Sequence, residues 1–253
     1  MKADITRFEL LDYAGSEAIN ALCTNLSFTG KDKKIIMVTS CQASEGKSFL
    51  SMNIMRTLTQ LGKQVVLVDA DLRRSVINTQ FGIRLPQGAM GLAHHLAGMC
   101  AVEDILYDTN YSGAYFVPVG RTVTNSLALL NTPMLGRLLK LISTNVDYVL
   151  VDSPPIGAII DAAEIAKSCD GALVVVTYNQ VSRRELAEAR QQIEMAGCQV
   201  LGAVLNSVDP NTIGGRKYYY YKQHYGAHGV YTDQKARPIP ITSSVLGKRK
   251  KTK

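Results

Sequence analysis

Six short apolar runs, separated by stretches of helical period, constrain this chain more than any other feature. They are Ile35-Ile36-Met37-Val38, Val65-Val66-Leu67-Val68, Tyr115 to Gly120, Tyr148-Val149-Leu150-Val151, Gly171 to Thr177 and Val200 to Leu205. Runs without polar alternation suit strands covered on both faces. Between them, apolar residues recur at helical spacing: Leu50, Ile54, Leu58 and Leu61, then Leu135, Leu138, Leu139 and Ile142 after Pro133, and Leu186, Ala189 and Ile193. Another helix is expected from about Ala162, and an amphipathic one over residues 14 to 28 with Ile19, Leu22 and Leu26 on one face. Alternating strands and helices predict an α/β fold, a doubly wound and mostly parallel sheet flanked by helices.

The first run ends in Thr39-Ser40-Cys41-Gln42-Ala43-Ser44-Glu45-Gly46-Lys47-Ser48 and then a helical segment. Strand, small-residue loop and helix in that order form the context of a Walker A phosphate loop. Backbone N–H groups and a helix N-terminus present positive potential to a polyphosphate. Lys47 would reach the β- and γ-phosphates, and the Ser48 hydroxyl would ligate Mg²⁺. The strict pattern fails at its first glycine, where Cys41 stands. An ordinary strand–turn–helix connection is the competing reading of this stretch alone.

Two further strands end in acids. Val65 to Val68 runs into Asp69-Ala70-Asp71-Leu72-Arg73-Arg74, and Tyr148 to Val151 runs into Asp152-Ser153-Pro154-Pro155. Carboxylates at strand C-termini lie on the ligand edge of a parallel sheet, where they can hold Mg²⁺ or accept a proton. Acids placed there can also do no more than cap the next helix. His94 and His95 are sequence neighbours within a helical piece, which points them to different faces and argues against a shared metal.

Composition separates the chain into two parts. Of the net charge of +7, residues 214 to 253 carry +9, from ten basic residues against one aspartate, so the preceding 213 are slightly acidic. The expected organisation is a nucleotide-binding domain over 1–213 and a basic tail over 214–253. Six of twelve tyrosines cluster there, at Tyr218, Tyr219, Tyr220, Tyr221, Tyr225 and Tyr231. Aromatics among basic residues can stack on nucleic-acid bases; the alternative is a segment whose phenols are themselves substrates. Residues 248 to 253, rich in lysine, either meet anionic lipid or are simply solvated. Five cysteines, an odd number, suit reduced thiols, and Met1-Lys2-Ala3-Asp4 lacks the apolar segment of a signal peptide, so a cytoplasmic protein is expected.

Together, the phosphate loop, the Asp69-Ala70-Asp71 strand end, the Asp147 to Pro155 Walker B segment and the tyrosine cluster resemble the bacterial tyrosine kinases of the capsule and exopolysaccharide system. The resemblance runs from about Leu10 to Tyr231. It implies an ATP- and Mg²⁺-dependent kinase that autophosphorylates Tyr218 to Tyr231. Nucleotide contacts would fall on Ser44, Glu45, Gly46, Lys47, Ser48, Phe49 and Asn206. Ser48, Asp71 and Asp152 would hold the metal. Lys47, Asp69 and Asp71 would form the catalytic set, with Asp69 taking the phenol proton.

A chain of this type is also expected to have a separate membrane-anchored activator that recruits it to the inner face of the membrane, a cognate phosphotyrosine phosphatase, and copies of itself as partners. No nucleic-acid partner is expected. Two positions depart from the family. Ala43-Ser44 stands where Pro-Gly is usual, placing a non-glycine residue where the backbone turns near phosphate. Glu17-Ala18-Ile19-Asn20-Ala21-Leu22-Cys23 stands where the family carries Glu-x-x-Arg-x-x-Arg, which leaves the ring form of self-association open. The rival readings are a MinD/ParA-like ATPase switch, disfavoured because residues 40 to 46 hold no lysine, and a nucleotide-binding scaffold with impaired catalysis.

Overall fold

The computed structural model describes residues 1–30 and 32–208. The tyrosine cluster and the rest of the 214–253 region lie outside the described residues. Within them, nine strands form one sheet in the order β4-β1-β5-β6-β3-β7-β2-β8-β9. The strands are β1 (Lys2–Ile5), β2 (Ile35–Ser40), β3 (Val65–Asp69), β4 (Ile83–Arg84), β5 (Tyr107–Thr109), β6 (Ala114–Val117), β7 (Tyr148–Asp152), β8 (Gly171–Thr177) and β9 (Gln199–Asn206). The helices are α1 (Tyr13–Ser27), α2 (Lys47–Gln60), α3 (Ile77–Gln80), α4 (Leu92–Leu96), α5 (Ser126–Leu130), α6 (Met134–Ser143), α7 (Asp161–Ala166) and α8 (Arg183–Met195).

From β6 to β9 every neighbouring pair is parallel, as the apolar runs predict. Strands β1, β4 and β5 extend the sheet at the other edge, where β4 pairs antiparallel with β1 and β5 antiparallel with β6. They are two to four residues long, too short to show a period in the sequence.

The pleat divides the core in two. On β2, Ile35 and Met37 join one apolar cluster while Ile36 and Val38 join the other. Residues of β3, β7 and β8 alternate in the same way, so each central strand is covered on both faces. Helices α6, α7 and α8 contribute to the first cluster, and α1 and α2 to the second. Helix α6 buries Leu135, Leu138, Leu139 and Ile142, the stripe read from its spacing. Helix α1 buries Ile19, Cys23 and Leu26.

The α1 geometry bears on the missing arginines. Cys23, at the position of the family's second arginine, faces the core, and burial pushes its thiol up to about 12. Asn20, at the first, donates to Glu17 Oε1 at 3.2 Å within the same helix.

Candidate functional site

The C-terminal ends of β2, β3, β7, β8 and β9 converge on one edge, and the candidate residues gather there. Loop residues Cys41 to Gly46 connect β2 to α2, with Ser44 at φ 63° and Gly46 at φ 88°. Ser44 therefore occupies the left-handed conformation that its position demands, at a cost of about 1 kcal/mol that glycine would not incur. Gly46 has a second constraint: a Cβ there would lie 2.3 Å from Asn206 Nδ2.

The loop is held from three sides. Glu45 is buried, and its carboxylate accepts from the Gln42 N–H at 2.6 Å and the Thr177 N–H at 2.9 Å. Asn206, paired with Thr177 across β8 and β9, donates from Nδ2 to the Glu45 carbonyl at 2.9 Å. Gln42 Nε2 reaches Glu185 Oε1 on α8 at 2.7 Å. Gly157 packs so closely that a Cβ would stand 2.5 Å from the Cys41 carbonyl oxygen. The Cys41 thiol is pushed up to about 11 by burial and by the Glu45 and Glu185 charges, so it stays neutral at physiological pH.

The sequence expectation for Glu45 is refined here: its side chain braces the loop, which leaves only its backbone for phosphate. Phe49 is placed differently again. Its ring lies in an apolar groove of about 410 Å³ with Leu11, Ile19, Leu22 and Val204, against α1 rather than among the loop residues.

Asp69 and Asp152 are opposite residues on adjacent strands β3 and β7. They are 1% and 2% exposed. Ser48 Oγ donates to Asp152 Oδ2 at 2.7 Å, and Ser51 Oγ, one helical turn on, donates to Oδ1 at 2.9 Å. Burial raises the Asp152 carboxyl to about 6, against the pull of Ser48, Lys47 and Ser51. Asp69 is raised well above the ordinary carboxylate range, first by burial and then by the Asp152 charge, although Ser75 Oγ and the Asp71 N–H donate to it. Asp71, half-buried, accepts from the Arg74 N–H at 2.9 Å.

Lys47, Ser48, Asp69, Asp71 and Asp152 thus share one edge. Buried Asp152 and half-buried Asp71, beside the Ser48 hydroxyl, make an oxygen-only donor set of the kind that suits a hard divalent cation such as Mg²⁺. His94 and His95 do not contribute: His94 Nδ1 accepts from the Gly91 N–H, and His95 Nδ1 meets the Cys100 carbonyl. Ser51 escapes motif reading, though its spacing of three from Ser48 puts it on the same helix face.

A family profile described as the NUBPL iron-transfer P-loop NTPase, ParA, matches residues 31–237. Over 211 residues the chain is 35% identical to the tyrosine-protein kinase CpsD of Streptococcus agalactiae, covering 81% of this chain and 90% of that one. The chain belongs to the CpsD-type bacterial tyrosine kinases. Its fold agrees: the kinase domain of Escherichia coli tyrosine kinase ETK superposes with a TM-score of 0.73 at 29% identity, over 78% of this chain and 77% of that one. The septum site-determining protein MinD of Pyrococcus horikoshii, a complex with Mg-ADP, shares the fold with a TM-score of 0.60 at 24% identity, over 68% and 69% of the two chains.

A CpsD-type kinase built on a P-loop NTPase fold binds nucleotide. No helix among the described residues is long and apolar enough to cross a membrane.

Proposed function

We propose that this kinase uses Mg²⁺–ATP to phosphorylate the tyrosines of its own C-terminal segment, Tyr218, Tyr219, Tyr220, Tyr221, Tyr225 and Tyr231, and that this regulates capsular or exopolysaccharide synthesis or export. The observation that carries the reading is the juxtaposition of Asp69 and Asp152 beside the Lys47–Ser48 loop. Phosphoryl transfer depends chiefly on positioning and on neutralising charge. The N–H groups of Ser44 to Phe49 and the start of α2 would receive the phosphates, and the Lys47 ammonium would neutralise their charge. Ser48, Asp71 and Asp152 would hold Mg²⁺, which when bound neutralises phosphate charge. Asp69 accepts the phenol proton. A free phenol has a pKa near 10, and a carboxylate raised by burial is a stronger base than an ordinary one. Asn206, braced on the Glu45 carbonyl, supports the loop from the end of β9 and would contact the nucleotide there.

The rest of the reading follows the family. A membrane-anchored activator recruits the kinase to the cytoplasmic face of the membrane, a phosphotyrosine phosphatase reverses the modification, and copies associate without the arginine charge pairs. Each phosphate adds about −1.5 to −2 charge. Several of them cancel the +9 of residues 214 to 253 and release that segment from acidic partners.

The test is intact mass after incubation with Mg²⁺–ATP, with and without the activator's cytoplasmic tail, beside a Lys47→Met variant. A ladder of added phosphates mapped to Tyr218 through Tyr231, absent from the variant, is expected. Steady release of inorganic phosphate with no mass change would instead identify a MinD/ParA-like ATPase.

A further inference from the structure

Beyond the phosphate loop and its acids, one buried ionic cluster has no part in the mechanism above. Asp161 opens α7 and is 1% exposed. Arg73, two residues after Asp71, grips it with both ends of its guanidinium, Nε to Oδ2 at 2.8 Å and Nη2 to Oδ1 at 3.1 Å. Ser126, the first residue of α5, donates to the same Oδ2. Burial alone would raise the Asp161 carboxyl. The hydrogen bonds from Arg73 and Ser126, with the Arg73 charge, outweigh it and hold the group below the ordinary range, as a carboxylate.

The location gives this cluster its meaning. Asp152 and Asp161 lie on one connection, from β7 to α7. Asp69, Asp71 and Arg73 lie on another, from β3 to α3. The two are joined once inside the sheet, where the Ala70 N–H donates to the Asp152 carbonyl at 2.8 Å, and again outside it by Arg73 and Asp161. Between those anchors the acidic loop has mostly local bonds, Leu72 to Ala70 and Arg74 to Asp71, together with one to Val123. Asp71 is within electrostatic reach of the Arg73 guanidinium, which it helps keep protonated.

We propose that Asp161 is a positioning residue that holds the Arg73 guanidinium away from Asp71, keeping the Asp71 carboxylate available to Mg²⁺–nucleotide. The assignment rests on the reading of Asp71 as a metal ligand. Besides Asp161, the acid whose charge acts on the half-exposed Arg73 side chain is Asp71, and an arginine–carboxylate pair there would compete directly with the divalent cation.

The experiment measures affinity for a fluorescent ADP analogue in chelator and at graded Mg²⁺, and self-labelling with ATP, on the full chain. Asp161→Asn keeps the size of the side chain and an acceptor for Ser126. It is expected to raise the Mg²⁺ concentration at half-saturation by about tenfold, the scale of one charge-assisted hydrogen bond. Affinity in chelator should stay within about twofold of the unaltered protein, within the usual scatter of such comparisons.

The double variant Arg73→Ala with Asp161→Asn should return the Mg²⁺ requirement toward the original value, which loss of packing alone would not do. If Asp161→Asn does not fold, Arg73→Lys carries the test. A lysine keeps the charge but loses the two-point grip, so it should raise the Mg²⁺ requirement in the same direction. An unchanged requirement in the variant that folds, or a double variant no better than Asp161→Asn, overturns the proposal. Absence of self-labelling by the unaltered protein, even with the activator's cytoplasmic tail, would sink the autophosphorylation reading and leave the Mg²⁺ titration to decide on Asp161.

Discussion

Ser48 Oγ donates to Asp152 Oδ2 at 2.7 Å, so the loop hydroxyl and the strand carboxylate assigned to one cation already hold each other. With Ser51 on the second oxygen, Asp152 has its carboxylate aimed at the start of α2 by two hydroxyls. Ser51→Ala is expected to lower the affinity for Mg²⁺–nucleotide by about threefold to tenfold, the range for one ordinary hydrogen bond. Titration of a fluorescent nucleotide, with and without Mg²⁺, reads this directly.

Burial of Asp152 also sets a pH dependence. Its carboxyl rises from about 4 to about 6 on folding, so between those values the folded protein keeps a proton that the unfolded chain has released. Stability measured in chelator should therefore fall as pH rises from 4 to 6, by roughly 3 kcal/mol from this residue. Asp69, raised in the same sense, adds to the decline with the same sign. Asp161, lowered on folding, works oppositely and only below about pH 4. Asp152→Asn should flatten the 4-to-6 slope in urea unfolding. At pH 8 in chelator it should melt several degrees higher than the unaltered protein, yet gain nothing from Mg²⁺–nucleotide.

Glu45 predicts a stability defect in place of a catalytic one. Its buried carboxylate accepts from two backbone N–H groups on different segments, Gln42 and Thr177. Glu45→Ala strands both donors and should cost about 3 kcal/mol, whereas Glu45→Gln retains one good acceptor and should cost about half of that. Chemical denaturation of the two variants supplies the comparison. Equal losses would mean that the brace is not what holds the loop.

Backbone shape gives a third pair. Ser44 already adopts a left-handed conformation, so Ser44→Gly should bind nucleotide at least as tightly, while Ser44→Val, with a branched Cβ at positive φ, should bind at least about tenfold more weakly. Gly157→Ala should also damage the loop, because its Cβ would press on the Cys41 carbonyl. Thermal shift with and without Mg²⁺–ADP separates lost binding from lost folding.

How far the sequence reached can be judged from particular residues. The central strands and the acids at their ends were legible, because an apolar run buried on both faces and a polar stop are local signals. Helix α6 was legible for the same reason. Strands β1, β4 and β5 were not, since a strand of two to four residues has no period and is defined by its neighbours. The brace on Glu45 and the Arg73–Asp161 pair join residues 132 and 88 positions apart, a separation no motif spans. Phe49, a nucleotide contact by the family resemblance, turns its ring toward α1, because a helix turns each successive side chain by about 100°, which leaves its backbone N–H for such a contact.

Asn206 closes the last strand with its amide on the loop between β2 and α2, so the chain leaves the sheet beside that loop. Tyr218 follows Val208 by ten residues, a covalent leash of about 35 Å at most. A tether that short would keep Tyr218, the first of the proposed acceptors, at millimolar local concentration around its own loop even with no affinity for it. Labelling within one chain would then proceed at a rate indifferent to dilution, and labelling between chains would slow in proportion. The order of the reaction in protein concentration tells which copy each tyrosine serves.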